Sequence, residues 1–136
     1  MEQLTIEATV NNLPRVTEFI ISSLEELNCK PKILLQMELV IEELFVNVAH
    51  YAYRPDVGKC IVQKEIETSP SRSITMTLID SGIPYNPLEH EDPDTSLGVE
   101  EREIGGLGIF LVKKNVDEIS YVYKDGQNIL RLKKFF

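Results

Sequence analysis

The sequence predicts an α+β fold, a two-layer sandwich in which three helices cover one face of a mixed, mostly antiparallel sheet. Two observations support this: segments of period two alternate with segments of helical period in the order β-α-α-β-β-loop-α-β-β, and each helical segment has one apolar stripe. The chain has 136 residues, of which 43% are hydrophobic. That is enough for one core, so we expect a single domain spanning residues 1–136.

The first half contains one strand and two helices. Apolar and polar residues alternate from Leu4 to Val10, which predicts a half-buried strand. Two asparagines and Pro14 then provide a helix start, and apolar residues recur at helical spacing as far as Asn28. Pro31 begins the second helix, whose apolar stripe continues to about Tyr51.

The second half contains two hairpins separated by an irregular loop and a short helix. Residues 81–103 are rich in Pro, Gly and acids and show no period, which is typical of a functional loop, here interpreted as a lid. Gly106 begins the short helix, which continues to about Asn115. The predicted hairpins pair Lys59–Glu67 with Ser73–Asp80, and Glu118–Lys124 with Asn128–Lys134 around Asp125-Gly126.

Composition excludes several classes of partner. A net charge of -8 disfavours nucleic acid and anionic lipid, so we expect neither to bind directly. No apolar run approaches the roughly 20 residues that span a bilayer, and the first residues do not resemble a secretory signal, so a cytoplasmic location is expected. Cys29 and Cys60 lie far apart without metal-type spacing, which predicts reduced structural thiols.

The second helix carries the first candidate site. Glu43 and Asn47 are four residues apart and project from one helix face, with His50 close to that face. A carboxylate can orient or deprotonate an attacking hydroxyl, and a carboxamide oxygen can bind Mg²⁺. A solvated acidic helix face would show the same residues.

Asp80, at the end of a strand, is the second candidate. Its carboxylate can accept the amino hydrogen of adenine and reject the oxo group of guanine, while Gly82 leaves room for the ring. An Asp that initiates a turn would give the same pattern.

A glycine cluster, Gly105 to Gly108, forms the third candidate. It opens a helix, so its amides and the helix dipole can hold phosphates. A glycine hinge or a plain helix start would look similar. The cluster is not a P-loop, because no Gly-Lys-Ser/Thr sequence is present.

Together the three motifs resemble those of the histidine-kinase-like ATPase superfamily, also called the GHKL or Bergerat fold. Glu43-Leu-Phe-Val-Asn47 is similar to its N box, Asp80-Ser-Gly82-Ile-Pro84 to its first glycine box, and Gly105-Gly-Leu-Gly108 to its second. The narrower resemblance is to bacterial anti-sigma factor serine/threonine protein kinases, and it covers nearly the whole chain.

The resemblance implies a set of ATP-site roles. It implies that Glu43 is the catalytic base, that Asn47 is the Mg²⁺ ligand and that Asp80 recognises adenine. Gly82 would form part of the adenine pocket wall, and the phosphates would be bound by Gly106, Leu107 and Gly108. Arg102 is the one Lys or Arg in the acidic lid, so it can meet the γ-phosphate or pair with Glu101 or Glu103. His50 can pack under the site, but an ordinary satisfied histidine is the favoured interpretation.

The resemblance also implies a reaction and its partners. A homodimer would bind ATP or ADP with Mg²⁺, transfer the γ-phosphate to a Ser or Thr of an anti-anti-sigma antagonist, and sequester a sigma factor by partner switching. The alternative is an ATP-dependent binding module without phosphoryl transfer. A histidine autokinase is not expected, because 136 residues leave no space for a domain carrying the phosphorylated histidine.

Overall fold

The computed structural model describes residues 1–89 and 106–136, which form one sheet with helices packed on one face. The predicted two-layer α+β architecture is confirmed. In chain order the elements are β1 (Glu2–Glu7), α1 (Leu13–Glu26), α2 (Pro31–Asn47), β2 (Lys59–Glu67), β3 (Ser73–Asp80), α3 (Gly106–Asn115), β4 (Glu118–Lys124) and β5 (Gln127–Phe135). Short 3₁₀ turns lie at Val10–Asn12 and Pro87–Glu89, and a π-helical turn lies at Val48–Ala52.

The sheet has the strand order β1-β2-β3-β5-β4, which places β3 in the middle. Both predicted hairpins are present, and each strand pair of the described chain is antiparallel. β3 pairs with β5 across the loop and α3, and this register sets Asp80 opposite Asn128. The pairing of β2 with β3 sets Cys60 opposite the same Asp80.

The core lies between the helices and one face of the sheet. Alternate residues of β3 point into it, and the amphipathic helices α1 and α2 bury one stripe each. Fully buried aliphatic and aromatic side chains contribute about 1.5–3 kcal/mol each, so this layer supplies most of the favourable folding free energy. Its largest members are Phe45, Ile20, Leu24, Met37, Ile41, Ile74, Met76, Ile109 and Leu132.

The first strand ends earlier than predicted. It stops at Glu7 instead of Val10, because the chain turns there: the amide of Thr9 donates to the carbonyl of Glu7 (2.9 Å), and that of Asn12 donates to the carbonyl of Thr9 (3.0 Å). The Asn12 side chain then donates to the Glu7 carbonyl (2.9 Å), which holds the 3₁₀ turn before α1. The prediction of a strand over residues 4–10 is therefore wrong at its carboxyl end.

The second helix changes its winding near the predicted site. Its α-helical part ends at Asn47, and the predicted extension to Tyr51 is present as the π-helical turn. Such a wider turn shifts the phase of the residues that follow it, and π turns often occur at functional sites. None of the described helices is long and apolar enough to cross a membrane.

Candidate functional site

A cavity of about 410 Å³ opens between the end of α2, the end of β3 and the start of β5. Its volume is in the usual range for a small-molecule site. The wall is mostly aliphatic and aromatic, and Asn47, Asp80 and Asn128 supply side-chain amide and carboxylate groups. The remaining lining residues are Leu44, Val48, Tyr51, Ala52, Leu78, Ile83, Tyr85, Pro87, Tyr121 and Leu130.

Asp80 is buried in this wall, with 7% of its surface exposed. Its Oδ1 accepts hydrogen bonds from the amide of Gly82 (2.9 Å) and from the side chain of Asn128 (2.9 Å). Within the described residues both hydrogen bonds end on Oδ1, so Oδ2 keeps its accepting capacity. Asp80 therefore initiates a turn with one oxygen and can accept from a ligand with the other.

Asn128 joins the loop after β3 to strand β5. Its Nδ2 donates to Asp80 Oδ1 and to the carbonyl of Ile83 (2.8 Å). Its Oδ1 accepts from the amide of Tyr85 (3.1 Å) and from the hydroxyl of Tyr121. Both donors and both lone pairs of the amide are thus used, which fixes the Asp80 carboxylate and the cavity wall together.

Gly82 lies against the π-helical turn. The amide of Ile83 donates to the Ala52 carbonyl (2.9 Å), and a Cβ at Gly82 would collide with that same carbonyl. Only glycine permits this approach of the two backbones. The turn at the end of α2 and the loop after β3 therefore form one continuous wall.

Glu43 and Gly108 bring the first and third motifs together. Glu43 is half-buried one helical turn before Asn47, which lines the cavity. A Cβ at Gly108 would collide with the Glu43 carboxylate, so the first turn of α3 lies directly on this side chain. The geometry sets a carboxylate beside a helix amino terminus, next to the cavity.

The other candidate residues have different positions. Gly106 is the first residue of α3, and Leu107 lies in its first turn. Arg102 and most of the predicted lid lie outside the described residues. His50 is exposed on the π-helical turn, with its ring edge-on to Tyr51 at a centroid distance of 6.0 Å, and it does not line the cavity.

A comparison with protein families matches residues 6–134 to the histidine kinase-like ATPase domain. The match includes the cavity, Glu43 and the glycine-rich start of α3. The chain belongs to this family.

The curated relatives of this chain are protein kinases of low sequence identity. The chain is 26% identical over 101 residues to the serine-protein kinase RsbW of Bacillus thuringiensis and to that of Bacillus cereus. It is 25% identical over 96 residues to the serine/threonine-protein kinase BtrW of Bordetella bronchiseptica. Each alignment covers 71% of this chain, and 61% of the RsbW proteins or 66% of BtrW. The ATPase domain therefore spans less than two thirds of the length of these relatives.

Sequence reasoning missed several residues of the ATPase domain's cavity. Asn128 was predicted only as part of the last hairpin, and the tyrosines Tyr51 and Tyr121 were not singled out as lining residues. Tyr53 follows the lining residue Ala52 without lining the cavity itself: its hydroxyl accepts the amide of Ser81 (2.8 Å), and burial raises the pKa of that hydroxyl. Asn128 could have been identified only from its position opposite Asp80 in the sheet. That position is known only once β3 is known to pair with β5.

Proposed function

We propose that the chain binds ATP and acts as an anti-sigma regulatory factor with serine/threonine protein kinase activity. The observation that carries the proposal is the buried Asp80, which lines a mostly apolar cavity and accepts from the described residues only through Oδ1, while Glu43 lies against the start of α3 nearby. One acceptor in an apolar cavity suits a planar base, and a carboxylate at a helix amino terminus suits phosphoryl transfer.

The base would be adenine. Its exocyclic amino group can donate to Asp80 Oδ2, whereas the oxo group of guanine would set two acceptors against each other. Gly82 lets the loop after β3 pack on the Ala52 carbonyl and so close the cavity wall, and Asn128 bonds to Oδ1 and restrains the carboxylate.

The phosphates would lie at the start of α3. The amides of Gly106, Leu107 and Gly108 belong to the first helical turn, where donors lack partners within the helix and the dipole favours anions. Arg102 would approach the γ-phosphate from the lid and neutralise part of its charge.

The donor set also fits Mg²⁺. The Asn47 carboxamide oxygen would be the protein ligand, since Mg²⁺ prefers hard oxygens and commonly takes one or two from protein with the rest from phosphates and water. Within residues 1–89 and 106–136, no group of three or more His, Cys, Asp or Glu side chains could hold a metal. The protein would therefore supply few Mg²⁺ ligands there. Bound Mg²⁺ would supply neutralisation of phosphate charge.

Glu43 would be the catalytic base. The hydroxyl of a Ser or Thr on the substrate protein gives its proton to the Glu43 carboxylate as its oxygen bonds to the γ-phosphorus. The bond from that phosphorus to the β–γ bridging oxygen breaks, and ADP leaves with the electron pair. The contact with Gly108 holds the Glu43 carboxylate where the phosphates would be bound.

The substrate protein would be an anti-anti-sigma antagonist, and the chain, as a cytoplasmic homodimer, would sequester a sigma factor until the antagonist displaces it. Support comes from the three motifs and from the relatives, whose names describe serine- or serine/threonine-protein kinases.

The test compares Glu43→Gln with Glu42→Gln. Both variants remove one acid from α2, but Glu42 is exposed and Glu43 is half-buried against Gly108. With a purified antagonist and γ-labelled ATP, Glu43→Gln should lower the transfer rate by about 10²–10⁴-fold, as expected for loss of a general base. ATP affinity should change little, and Glu42→Gln should transfer at the wild-type rate.

Two results would contradict the kinase assignment. Equal transfer rates for the two variants would remove Glu43 from the base role. An unlabelled antagonist that nevertheless forms an ATP-dependent complex would favour a binding module that uses nucleotide only to shape a docking surface.

A further inference from the structure

Two cations lie close together on the helix-facing side of the sheet, at the opposite end from the cavity and Asp80. Lys134 is buried on the same face of β5 as the core residue Leu132. β3 pairs with β5 so that Ile74 is opposite Lys134, and Arg72, two residues before Ile74, is the diagonal neighbour of Lys134 on that face. Diagonal neighbours lie about 7–8 Å apart, within reach of long side chains.

Neither cation has an acidic partner among the described residues. Arg72 donates through Nη2 to the carbonyl of Leu27, and its guanidinium lies over the Phe136 ring, 4.7 Å from the centroid. The Arg72 Nε is buried without a hydrogen-bond partner. Lys134 is only 8% exposed, and within residues 1–89 and 106–136 its ammonium forms no hydrogen bond or ion pair. Two like charges held side by side and partly removed from water are costly, so an anion that binds between them would be stabilised.

The loop between α1 and α2 packs beside these cations without neutralising them. Burial raises the pKa of the Cys29 thiol against the opposing charges of Arg72 and Lys134, so both cations act on this loop. At neutral pH the Cys29 thiol is therefore uncharged and is no counter-ion for them. The acids nearest along the chain, Glu25 and Glu26, are exposed on the last turn of α1, and neither forms an ion pair with a described cation.

The amino terminus of α2 adds positive potential at the end of this loop. The helix is 17 residues long, with no side-chain cap and no acid in its first turn. The amides of Ile33 and Leu34 donate to the Lys30 carbonyl (3.0 and 3.1 Å), and Pro31 has no amide hydrogen. Among the described residues, the amide of Lys32 therefore remains available to a ligand, and the side chains of Lys30 and Lys32 are exposed beside it.

We propose that this surface binds a phosphate group, held by Lys134, Arg72 and the amino terminus of α2. We call it the distal site, and its four cations are Lys30, Lys32, Arg72 and Lys134. A doubly charged phosphate suits four cations and a helix amino terminus better than a single carboxylate does.

The distal site is separate from the place proposed for the ATP phosphates. Pro31 lies twelve residues before Glu43 on α2, and Glu43 lies against Gly108, so about 18 Å of helix separates the two places at 1.5 Å of rise per residue. A phosphate group at the distal site would therefore bind whether or not nucleotide is present.

Cys29 reports on the potential at the distal site, because it is half-buried there while Cys60 is fully buried. Iodoacetate and iodoacetamide alkylate the same thiolate but differ in charge, so the ratio of their rates measures the local potential at equal accessibility. Lys134→Met keeps an unbranched side chain and removes the charge, and it should lower the ratio of the iodoacetate rate to the iodoacetamide rate at least about fivefold. Lys124→Gln, at an exposed position near the last turn, is the control with the same charge change and should keep the wild-type ratio.

Isothermal titration tests the ligand. At constant ionic strength the wild type should bind inorganic phosphate with a dissociation constant of about 1 mM or below. Lys134→Met should raise that constant at least about tenfold, as expected for the loss of a charge-assisted hydrogen bond, and Lys124→Gln should leave it unchanged. A phosphoserine peptide is titrated in the same way. Tighter binding of the peptide assigns the phosphate group to a phosphorylated protein, and equal or weaker binding assigns it to free phosphate.

Two outcomes would overturn the proposal: a ratio of alkylation rates that Lys134→Met and Lys124→Gln change equally, or phosphate binding that Lys134→Met leaves at the wild-type constant. Lys32→Gln, at an exposed position, should lower both the ratio and the phosphate affinity at least about twofold, so the test does not depend on the folding of a variant at a buried position. None of these measurements contains nucleotide, so their failure would contradict the distal site and leave the proposed function unaffected.

Discussion

Asn128 is the residue on which the hydrogen bonds of the cavity wall converge. It connects Asp80, the carbonyl of Ile83, the amide of Tyr85 and the hydroxyl of Tyr121, and only 6% of its surface is exposed. A carboxamide suits this position because it donates and accepts at the same time. A carboxylate could only accept.

Asn128→Asp should therefore destabilise the fold and weaken nucleotide binding. It removes both donated hydrogen bonds and sets a second carboxylate beside Asp80 in a buried site, at a cost of about 2–4 kcal/mol. Urea unfolding at neutral pH measures this loss. The deficit should shrink as pH falls, because a proton shared by the two carboxyls relieves the repulsion. Asn11→Asp, on an exposed position, is the control and should cost little at either pH.

Cys60 is fully buried opposite Asp80, and burial, helped by the Asp80 charge, raises the pKa of its thiol to about 12 from an ordinary 9.0. In the unfolded chain the thiol ionises near its ordinary pKa, so stability from this group is complete below pH 9.0 and is lost as pH rises toward about 12.

Cys60→Ala should therefore flatten the alkaline loss of stability. For the wild type the thiol contributes a slope of up to about 1.4 kcal/mol per pH unit in this window, and the variant lacks it. The measurement is urea unfolding at several pH values from about 8 to about 11. Parallel slopes for the variant and the wild type would contradict the raised pKa.

At the scale of elements, the start of α3 packs closely against the Glu43 side chain of α2. Alanine is usually favoured over glycine inside a helix by about 1 kcal/mol. At Gly108, however, a methyl group would displace the Glu43 carboxylate or move α3 away from α2.

Gly108→Ala should thus reduce ATP affinity and phosphoryl transfer at least about tenfold, with no gain in helix stability. Isothermal titration with ATP and thermal unfolding measure the two effects. Gly126→Ala is a useful comparison, because Gly126 has a positive φ of 77° in the last hairpin and no atom within 4 Å of its Cβ position. It should cost about 1 kcal/mol of stability and leave ATP binding intact. Matching ATP affinities for Gly108→Ala and the wild type would contradict the proposed phosphate site.

The sequence could predict elements whose signals are local. Strands β2, β3 and β4 have the predicted bounds, because their alternation is strict and turn residues enclose them. The end of β1 could not be predicted, since the alternation continues to Val10 although the backbone already turns at Thr9, whose amide donates to the carbonyl of Glu7. The π-helical turn after Asn47 was not predicted either, and it accepts a bond from the distant Ile83 amide at the Ala52 carbonyl.

The candidate site follows the same division. Glu43, Asn47 and Asp80 were found because each lies in a short motif, and Asn47 and Asp80 do line one cavity. Asn128 and Tyr121 were not found, since they enter the cavity only through the pairing of β3 with β5. That pairing joins segments on either side of the loop and α3, which no local pattern determines.

At the scale of the whole molecule, ligand binding and folding are coupled. A nucleotide that binds only the folded chain must raise the unfolding midpoint, by about 2.7 kcal/mol of stabilisation at a hundredfold excess over its dissociation constant. Mg-ATP and ADP should stabilise the protein and GTP should not, because of the acceptor at Asp80.

Thermal unfolding of the wild type and Asp80→Asn with each nucleotide provides the measurement. Asp80→Asn should lose the adenine response, because the amide replaces an acceptor with a donor. Stabilisation by GTP equal to that by ATP would contradict base reading by Asp80, and no response at millimolar nucleotide would contradict the site as a whole.

The alternation of side chains along β3 limits the insertions and deletions that this strand can tolerate. Ile79 points to the sheet face directed away from the helices, and its neighbour Asp80 points to the cavity. Losing one codon between Ser73 and Ile79 would exchange the faces of every residue on one side of the deletion. Such a mutation would turn Asp80 away from the cavity, or turn core residues of β3 such as Ile74 away from the helices. The turn at residues 68–72 carries no such constraint, so natural length variation in this hairpin should be confined to it.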